Sequence, residues 1–581
     1  MCALLFISAI TLVFTQAVYS QEARRPIPGE EQQPMDERQQ PDPNRASGLE
    51  DVAPPPASAD YELTPVPDRW RLLDSLGMTE TNIGDPYHRN PIKGDVPLHG
   101  DWFLNLTVTS DTVIEPRRLP TPVAPQGTRF AGSNDIFGDG EQLVFNQNLL
   151  VGLVYYKGHT TFKPPDWEFR LTTVFNYNNV HAEQNRVLFI DPRDGHVRTD
   201  THVGIQELFV DKHLRNVSAR YDFDSLRFGI QPFTADFRGF LFIDEPFGLR
   251  LFGTRNNNRI QYNLAAFARI EKDTNSGLND LSQGLREDYV YVANLYWQDL
   301  LVRGHIVEFV LLHNRNTEGE EGQHYNKNGF LERPASLGLE KPRNYHVTYA
   351  GINSDGHFGD LNLTTLAYYA FGEEDQGVFV DGPTEIRAGL AAAEFSIDSD
   401  WVRWRASVLW ASGEENVFDN EVNGFDAVFE NPLFAGADTS FWIRQPVPLI
   451  GGGGVVLSGR NGLLNSLRSS KEEGQSNFAN PGTRLVGLGV DMDITPEVRL
   501  SFNVNQLWFD ETAVLEVARN QAMIDREIGL DVSTALIWRP YMNQNVIVRA
   551  SAAALLPGKG FKQLYGDEVA YSVLINIILT Y

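Results

Sequence analysis

From Trp102 to the end of the chain, apolar and polar side chains alternate with period two over stretch after stretch. Val498, Leu500, Phe502, Val504 and Trp508 share one face, and Arg499, Ser501, Asn503 and Asn505 share the other. Val402, Trp404, Ala406, Val408 and Trp410 oppose Arg403, Arg405 and Ser407 in the same way. Ile528, Leu530, Val532, Leu536 and Trp538 oppose Gly529, Asp531, Ser533 and Arg539. Successive side chains on a strand point to opposite sides, so this period predicts strands and not helices. The alternation places them near 102–110, 143–156, 166–178, 203–213, 224–232, 246–254, 258–271, 288–298, 303–314, 344–355, 359–371, 386–397, 400–412, 482–494, 497–510, 526–539, 543–556 and 568–581. The stretch 203–213 is the weakest, because neither of its faces is cleanly apolar.

The connections alternate between short and long. Asp398-Ser-Asp400, Thr495-Pro-Glu497, Arg255-Asn-Asn257 and Pro540-Tyr-Met-Asn543 carry tight-turn chemistry, whereas 179–202, 315–343 and 413–481 are long polar excursions. Short turns at one end and long loops at the other describe a transmembrane barrel. The predicted fold is therefore all-β, an antiparallel up-and-down barrel of about 18 strands, with 16 as the alternative. An Arg on the lipid side costs about 2–4 kcal/mol at mid-membrane, so the polar faces must look inward. A soluble β-sandwich is the competing reading, but sandwiches rarely sustain such strands over this length.

The last stretch sharpens the choice. Val569, Tyr571, Val573, Ile575, Ile577, Leu579 and Tyr581 form one wholly apolar face, with an aromatic residue near each end. A final amphipathic strand ending in an aromatic residue resembles the assembly signal of Gram-negative outer-membrane β-barrels. The run Phe237-Arg-Gly-Phe-Leu-Phe242, with Leu249-Arg-Leu-Phe-Gly-Thr254 and Gln261-Tyr-Asn-Leu-Ala-Ala-Phe267, is similar to uncharacterised porin-like proteins. The resemblance covers Trp102 to Tyr581 at the level of the superfamily and carries no substrate with it. It implies outer-membrane lipid and the barrel assembly machinery as partners.

Before the barrel, Met1–Ser20 reads as a secretory signal with an apolar core, although it lacks a basic residue ahead of that core. Gln21–Pro67 is rich in Pro, Glu and Gln and reads as a disordered periplasmic linker. Residues 68–101 form a lead-in, opening with a short amphipathic helix over Asp68–Gly77 whose Trp70, Leu72, Leu73 and Leu76 could dock on the barrel mouth. An even strand count then puts both termini on the periplasmic side. A formal charge of −27 argues against nucleic acid. The only cysteine, Cys2, lies in the signal, which excludes disulfides and thiolate metal sites from the mature chain. The histidines show no metal-ligand spacing, and Asn134–Glu141 has carboxylates and glycines without the pattern of an EF-hand. No cofactor, metal or catalytic constellation is expected.

Candidate function lies on the inward faces. The basic members are Arg170, Arg227, Arg250, Arg259, Arg269, Arg403, Arg405, Arg499 and Arg549. The acidic ones are Glu168, Glu271, Glu308, Glu394, Asp491, Asp493 and Asp531. Either these pair across neighbouring strands and stiffen a wet wall, or an excess of Arg attracts anions into a pore. The connection Gly413–Pro481 is far longer than a barrel needs and carries Phe418, Phe425, Phe429, Phe434, Phe441, Trp442 and Arg444, then a glycine run and a helix expected over Leu463–Lys471. Long loops with apolar content of their own are usually functional. This one either folds into the lumen as a constriction or caps the outer mouth. The leading function is passage of small polar or anionic solutes. The alternative is a structural sleeve or docking partner for a secretion or electron-transfer complex, with an outer-membrane hydrolase third. Either of the first two leaves room for a homo-oligomer or a periplasmic partner.

Overall fold

The computed structural model describes residues 70, 73, 75–120, 140–158, 164–218, 222–445, 447–451, 454–457 and 460–581. The signal, the linker, half of the helix over 68–77 and most of Asn134–Glu141 lie outside them.

Eighteen strands close into one antiparallel barrel. They are β1 (Trp102–Arg118), β2 (Glu141–Lys157), β3 (Trp167–Ala182), β4 (Val197–Asn216), β5 (Phe223–Ile230) and β6 (Phe247–Arg255). There follow β7 (Ile260–Ile270), β8 (Leu285–Gln298), β9 (His305–Asn316), β10 (Tyr345–Phe358), β11 (Leu361–Glu374) and β12 (Thr384–Ser399). The last six are β13 (Val402–Ala411), β14 (Thr483–Thr495), β15 (Val498–Trp508), β16 (Glu527–Trp538), β17 (Val546–Pro557) and β18 (Ala570–Thr580). Each pairs with its neighbour in sequence, and β1 pairs with β18, Ser110 opposite Leu579 and Ile114 opposite Ile575. Closure removes the unpaired edges that an open sheet would expose to lipid.

The barrel is apolar outside and polar inside. Phe175, Phe309, Ile352, Trp404, Val486, Phe502 and Ile575 are exposed on the outer face, while Asn148, Asn176, Asn294, Glu308, Asn503, Asn505 and Asn576 are buried within. Aromatic residues mark both ends of the outer band: Tyr155, Trp167, Trp404 and Trp538 towards the short turns, Tyr177, Phe371 and Trp410 towards the long loops. This is the distribution of a barrel standing in a bilayer. The face predicted on β18 is outward, with Val573, Ile575, Ile577 and Leu579 exposed and Ser572, Leu574 and Asn576 buried.

The weak stretch near 203–213 proves to be the centre of a long strand, β4. Its register against β3 slips between Thr172 and Thr173, so that Gln206 and Glu207 are both turned inward. Val203 and Leu208 both face out, five residues apart. A bulge of this kind switches the parity of a strand, and it is why neither face reads cleanly in sequence.

Two of the connections that turn back into the lumen meet there. Residues 231–246 between β5 and β6 form one, held by Asp236, whose carboxylate accepts the backbone N–H groups of Arg238, Gly239, Phe240 and Leu241. Residues 412–482 between β13 and β14 form the other. The two join through a parallel bridge between Phe242 and Phe429, with Ile243 N donating to Phe429 O at 2.9 Å. Phe233, Phe240, Phe242, Phe425, Phe429, Phe434, Phe441 and Trp442 then make an apolar core inside a polar wall. The neck of the second loop is tight. A Cβ on Gly413 would collide with Pro481 O, and one on Gly482 (φ +62°) with Ala411 O and Gly413 N. Asp510 ties this neck down, accepting from Gly413 N at 2.9 Å and Trp410 Nε1 at 3.0 Å.

Candidate functional site: the infolded loop and the wall it faces

The loop 412–482 crosses the lumen on side-chain anchors drawn from the wall. Glu394 on β12 accepts Ala435 N at 3.1 Å, and Asn505 on β15 donates to Ala435 O at 2.9 Å. Thr439 meets Ser533 of β16 at 2.9 Å and accepts from Asn503 at 2.7 Å. A single helical turn, Phe441–Arg444, follows Ser440. Asp531 lies against its N-terminus and accepts Ser440 Oγ at 2.6 Å, Phe441 N at 3.1 Å and Trp442 N at 2.6 Å. The N–H groups of a first turn lack intrahelical partners; Asp531 takes those of Phe441 and Trp442, and Ser440 Oγ accepts Ile443 N at 3.2 Å. Arg444 then reaches Glu115 on β1 and Ser572 on β18, the latter at 3.0 Å.

Two features of this loop differ from the sequence reading. Leu463–Lys471 is not helical: Leu467 adopts φ +52°, and Arg468 spends its guanidinium on Asp426 and on the carbonyls of Ala427 and Val428. Phe418 is 67% exposed and takes no part in the lumen core, which Phe425, Phe429, Phe434, Phe441 and Trp442 do form.

The inward charges are mostly paired with one another. Arg170 bonds Glu168 at 2.9 Å and reaches Glu207, and Arg227 meets Asp211 at 2.8 Å. Arg269 takes Asp288 at 2.9 Å and Asp244 at 3.4 Å. Arg405 bonds Asp491 at 2.9 Å and Asn503 at 2.7 Å. Arg403 pairs with Asp398, and Arg499 with Asp493 at 2.6 Å, both near the short-turn end where the lumen is solvated. Arg250 bonds Asn263 at 2.7 Å and lies 4.7 Å from the Phe252 ring. Glu271 bonds Arg333, Glu308 accepts Asn353 Nδ2 at 3.0 Å, and Arg549 is buried with Asp438 and Asp111 as its neighbouring carboxylates. Arg259 does not belong to the wall. It sits exposed in the 256–259 turn, because β7 begins one residue later.

Between the loop and the β1–β2 wall lies a cavity of about 210 Å³. The wall contributes Asp111, Glu115, Arg117, Asn146 and Asn148, and the loop contributes Arg444, Leu449, Ile450, Leu464 and Leu467. None of these wall residues was singled out from sequence. Their signal was legible as Gln142, Val144, Asn146 and Asn148 alternating with Leu143, Phe145 and Leu149, and again as Asn176 and Asn178 beside Phe175 and Tyr177. Among the described residues, no group of three or more His, Cys, Asp or Glu is placed to hold a metal ion.

At the long-loop end two buried carboxyls meet. Burial, followed by the proximity of Glu473, pushes Glu332 well above the ordinary carboxylate range. Glu473 is raised as well, by burial first and with Glu271 adding to it.

The tip of the sequence is also held. Asn90 Nδ2 donates to Tyr581 Oη at 3.1 Å, Lys93 Nζ lies 4.2 Å from the Tyr581 ring, and Tyr581 N donates to Val108 O at 2.8 Å. The lead-in thus packs at the short-turn end against the seam where β1 meets β18. Leu76, expected to dock there, is 62% exposed.

No protein-family model matches the chain, and no curated protein matches it. Among solved structures, Pseudomonas aeruginosa OccK9 (OpdG) aligns over 82% of this chain and 98% of its own, at 11% identity and a TM-score of 0.46. P. aeruginosa OpdK, solved with vanillate, covers 82% and 99% at 12% identity and a TM-score of 0.44. Acinetobacter baumannii OccAB3 covers the same shares at 10% identity and a TM-score of 0.43.

Proposed function

We propose that the protein is an outer-membrane channel, passing small polar or anionic solutes along its lumen and past the constriction made by 412–482. The observation that carries this reading is the infolded loop itself. A barrel serving only as a sleeve has no use for a connection anchored to β1, β12, β15, β16 and β18 that leaves a polar-walled cavity beside it. In this reading the short-turn end, with both termini, faces the periplasm and the long loops face outward. Insertion proceeds through the barrel assembly machinery acting on the last strand. Lumen conduction through a restricted, charge-lined passage is what such a geometry supports.

Single-channel recording of the purified barrel in planar bilayers tests the proposal. Discrete conductance is expected, rising when 413–481 is replaced by a short Gly-Ser link. Silence from both the intact and the trimmed barrel would overturn the channel and favour the sleeve. A trimmed barrel that conducts no better than the intact one would place the constriction elsewhere, with 231–246 the next segment to test.

A further inference from the structure

We propose that the cavity between the loop and β1–β2 is a binding site for a neutral, polyhydroxylated solute of single sugar-ring size. This rests on the channel reading and narrows it to a solute class.

The inference follows from which polar groups at the cavity are already spent. Its cations are engaged by carboxylates or by an aromatic face. Arg444 bonds Glu115, and Arg117 lies 3.8 Å from the same carboxylate while donating to Gln142 and Gln445. Arg468 bonds Asp426 at 2.8 Å, and Lys471 pairs with Glu430. Arg460 stacks 3.4 Å from the Phe429 ring, with Asp244 and Glu245 as opposing charges. An anion entering here would have to compete with a carboxylate already in place for each cation, and shed its hydration to do so.

The neutral groups are differently placed. Asn146 and Asn148 stand two apart on β2 and both line the cavity. Asn176 of β3 donates to the Oδ1 of each at 2.7 Å. One carboxamide fixes both, so the Nδ2 end of each is left for the cavity. Asp111 on β1 accepts from Asn576 through one oxygen and keeps the second. Two donors and an acceptor therefore lie in a row along adjacent strands. A hydroxyl both donates and accepts, so vicinal hydroxyls satisfy such a row, whereas a carboxylate only accepts and would meet Asp111 with like charge. Among its engaged charges the loop side of the cavity also presents Leu449, Ile450, Leu464 and Leu467, apolar surface for the C–H face of a ring.

The test is equilibrium dialysis of labelled glucose and labelled glucuronate, the same ring with a carboxylate, against the full-length barrel in detergent. Current blockage by the two solutes is measured in parallel. Glucose is expected to bind at least about tenfold more tightly than glucuronate. The double substitution Asn146→Leu and Asn148→Leu is expected to weaken glucose at least about tenfold, with fold integrity checked by heat-modifiability. If that pair misfolds, Asn146→Ala with Asn148→Ala removes the same amides without added bulk. Glucuronate binding as tightly as glucose, or glucose unaffected by the paired substitution, would overturn the site. Glucose binding to a barrel that never conducts would leave the site standing and sink the channel instead.

Discussion

Asp531→Ala is the substitution that isolates what the infolded loop does. Asp531 is 1% exposed and accepts three hydrogen bonds from Ser440, Phe441 and Trp442. Hydrogen bonds to a charged group contribute roughly 1.5–3 kcal/mol each. Removing the carboxylate therefore costs the closed loop about 4.5–9 kcal/mol if the three are independent, an upper bound because they share one acceptor. The barrel ladder on either side of Asp531 is untouched, since its own strand pairs through backbone. The loss falls on the seating of the loop. Even about 1.4 kcal/mol multiplies the population of the unseated loop tenfold. We expect unchanged heat-modifiability, larger and noisier single-channel currents, and faster nicking within 412–482 by added protease. Asp531→Asn, which keeps one oxygen to accept with, should fall between. Wild-type currents and wild-type protease resistance in Asp531→Ala would refute the assignment of Asp531 as the anchor, and with it the reading that the loop sets the conductance.

Deleting Tyr581 removes its contacts to Asn90, Lys93 and Val108 as well as the aromatic end of β18; the amount of heat-modifiable barrel in outer-membrane fractions should fall severalfold, and an unchanged amount would contradict assembly through this strand. Arg403→Ser with Arg405→Ser leaves Asp398 and Asp491 without their cations, so the reversal potential should shift toward cation selectivity. The shift should be largest at low salt, where the screening length exceeds about 10 Å; no shift at 0.01 M would mean other wall charges set the selectivity. For Glu332 and Glu473 the folded pKa is raised. Their protonated form is thus the stable one in the folded state: their contribution is fully present below the ordinary carboxylate value and is lost as pH rises through the raised one. Tm in detergent should be lower at pH 8 than at pH 5, and Glu332→Gln should flatten that difference; an equally steep profile in the variant would assign the dependence to other groups.

The strands were legible in the sequence because each carries its instruction locally. Lipid demands apolar side chains on one face and permits polar ones on the other, and period two writes that demand into every stretch. β4 shows where such reading loses its grip. The inserted residue at Gln206–Glu207 changes parity midway, and a pattern averaged across the bulge cancels. The loop was legible only in part. Its aromatic content, Phe425 to Trp442, announced burial, but its partner segment 231–246 offers only the porin-like run Phe237–Phe242 and no sign that it folds inward, because what marks that is a long-range bridge from Phe242 to Phe429. The wall charges illustrate the same limit. Alternation placed Arg405 on the inward face, but its pairing with Asp491 across β13 and β14 depends on a register that no single stretch specifies. Arg259 was misplaced for the opposite reason: the alternation of β7 extrapolates back by one residue into the turn.

The neck at Gly413 and Gly482 has a consequence for how such a protein can change. The loop leaves β13 and rejoins β14 through backbones in direct contact, so its two ends are already fixed side by side by the neighbouring strands. The entropy of closing a loop grows only with the logarithm of its length, and here the barrel sets the ends whatever lies between them. Everything from Glu414 to Asn480 therefore behaves as a cartridge. It can be lengthened, shortened or swapped between related barrels without altering the register between any two of the eighteen barrel strands, provided its anchors on the wall, Asp531 among them, still receive it. Divergence in what passes through the lumen is expected to run ahead of divergence in the barrel. A comparison of close relatives should find insertions and deletions concentrated between these two glycines, with the glycines themselves and Asp510 retained.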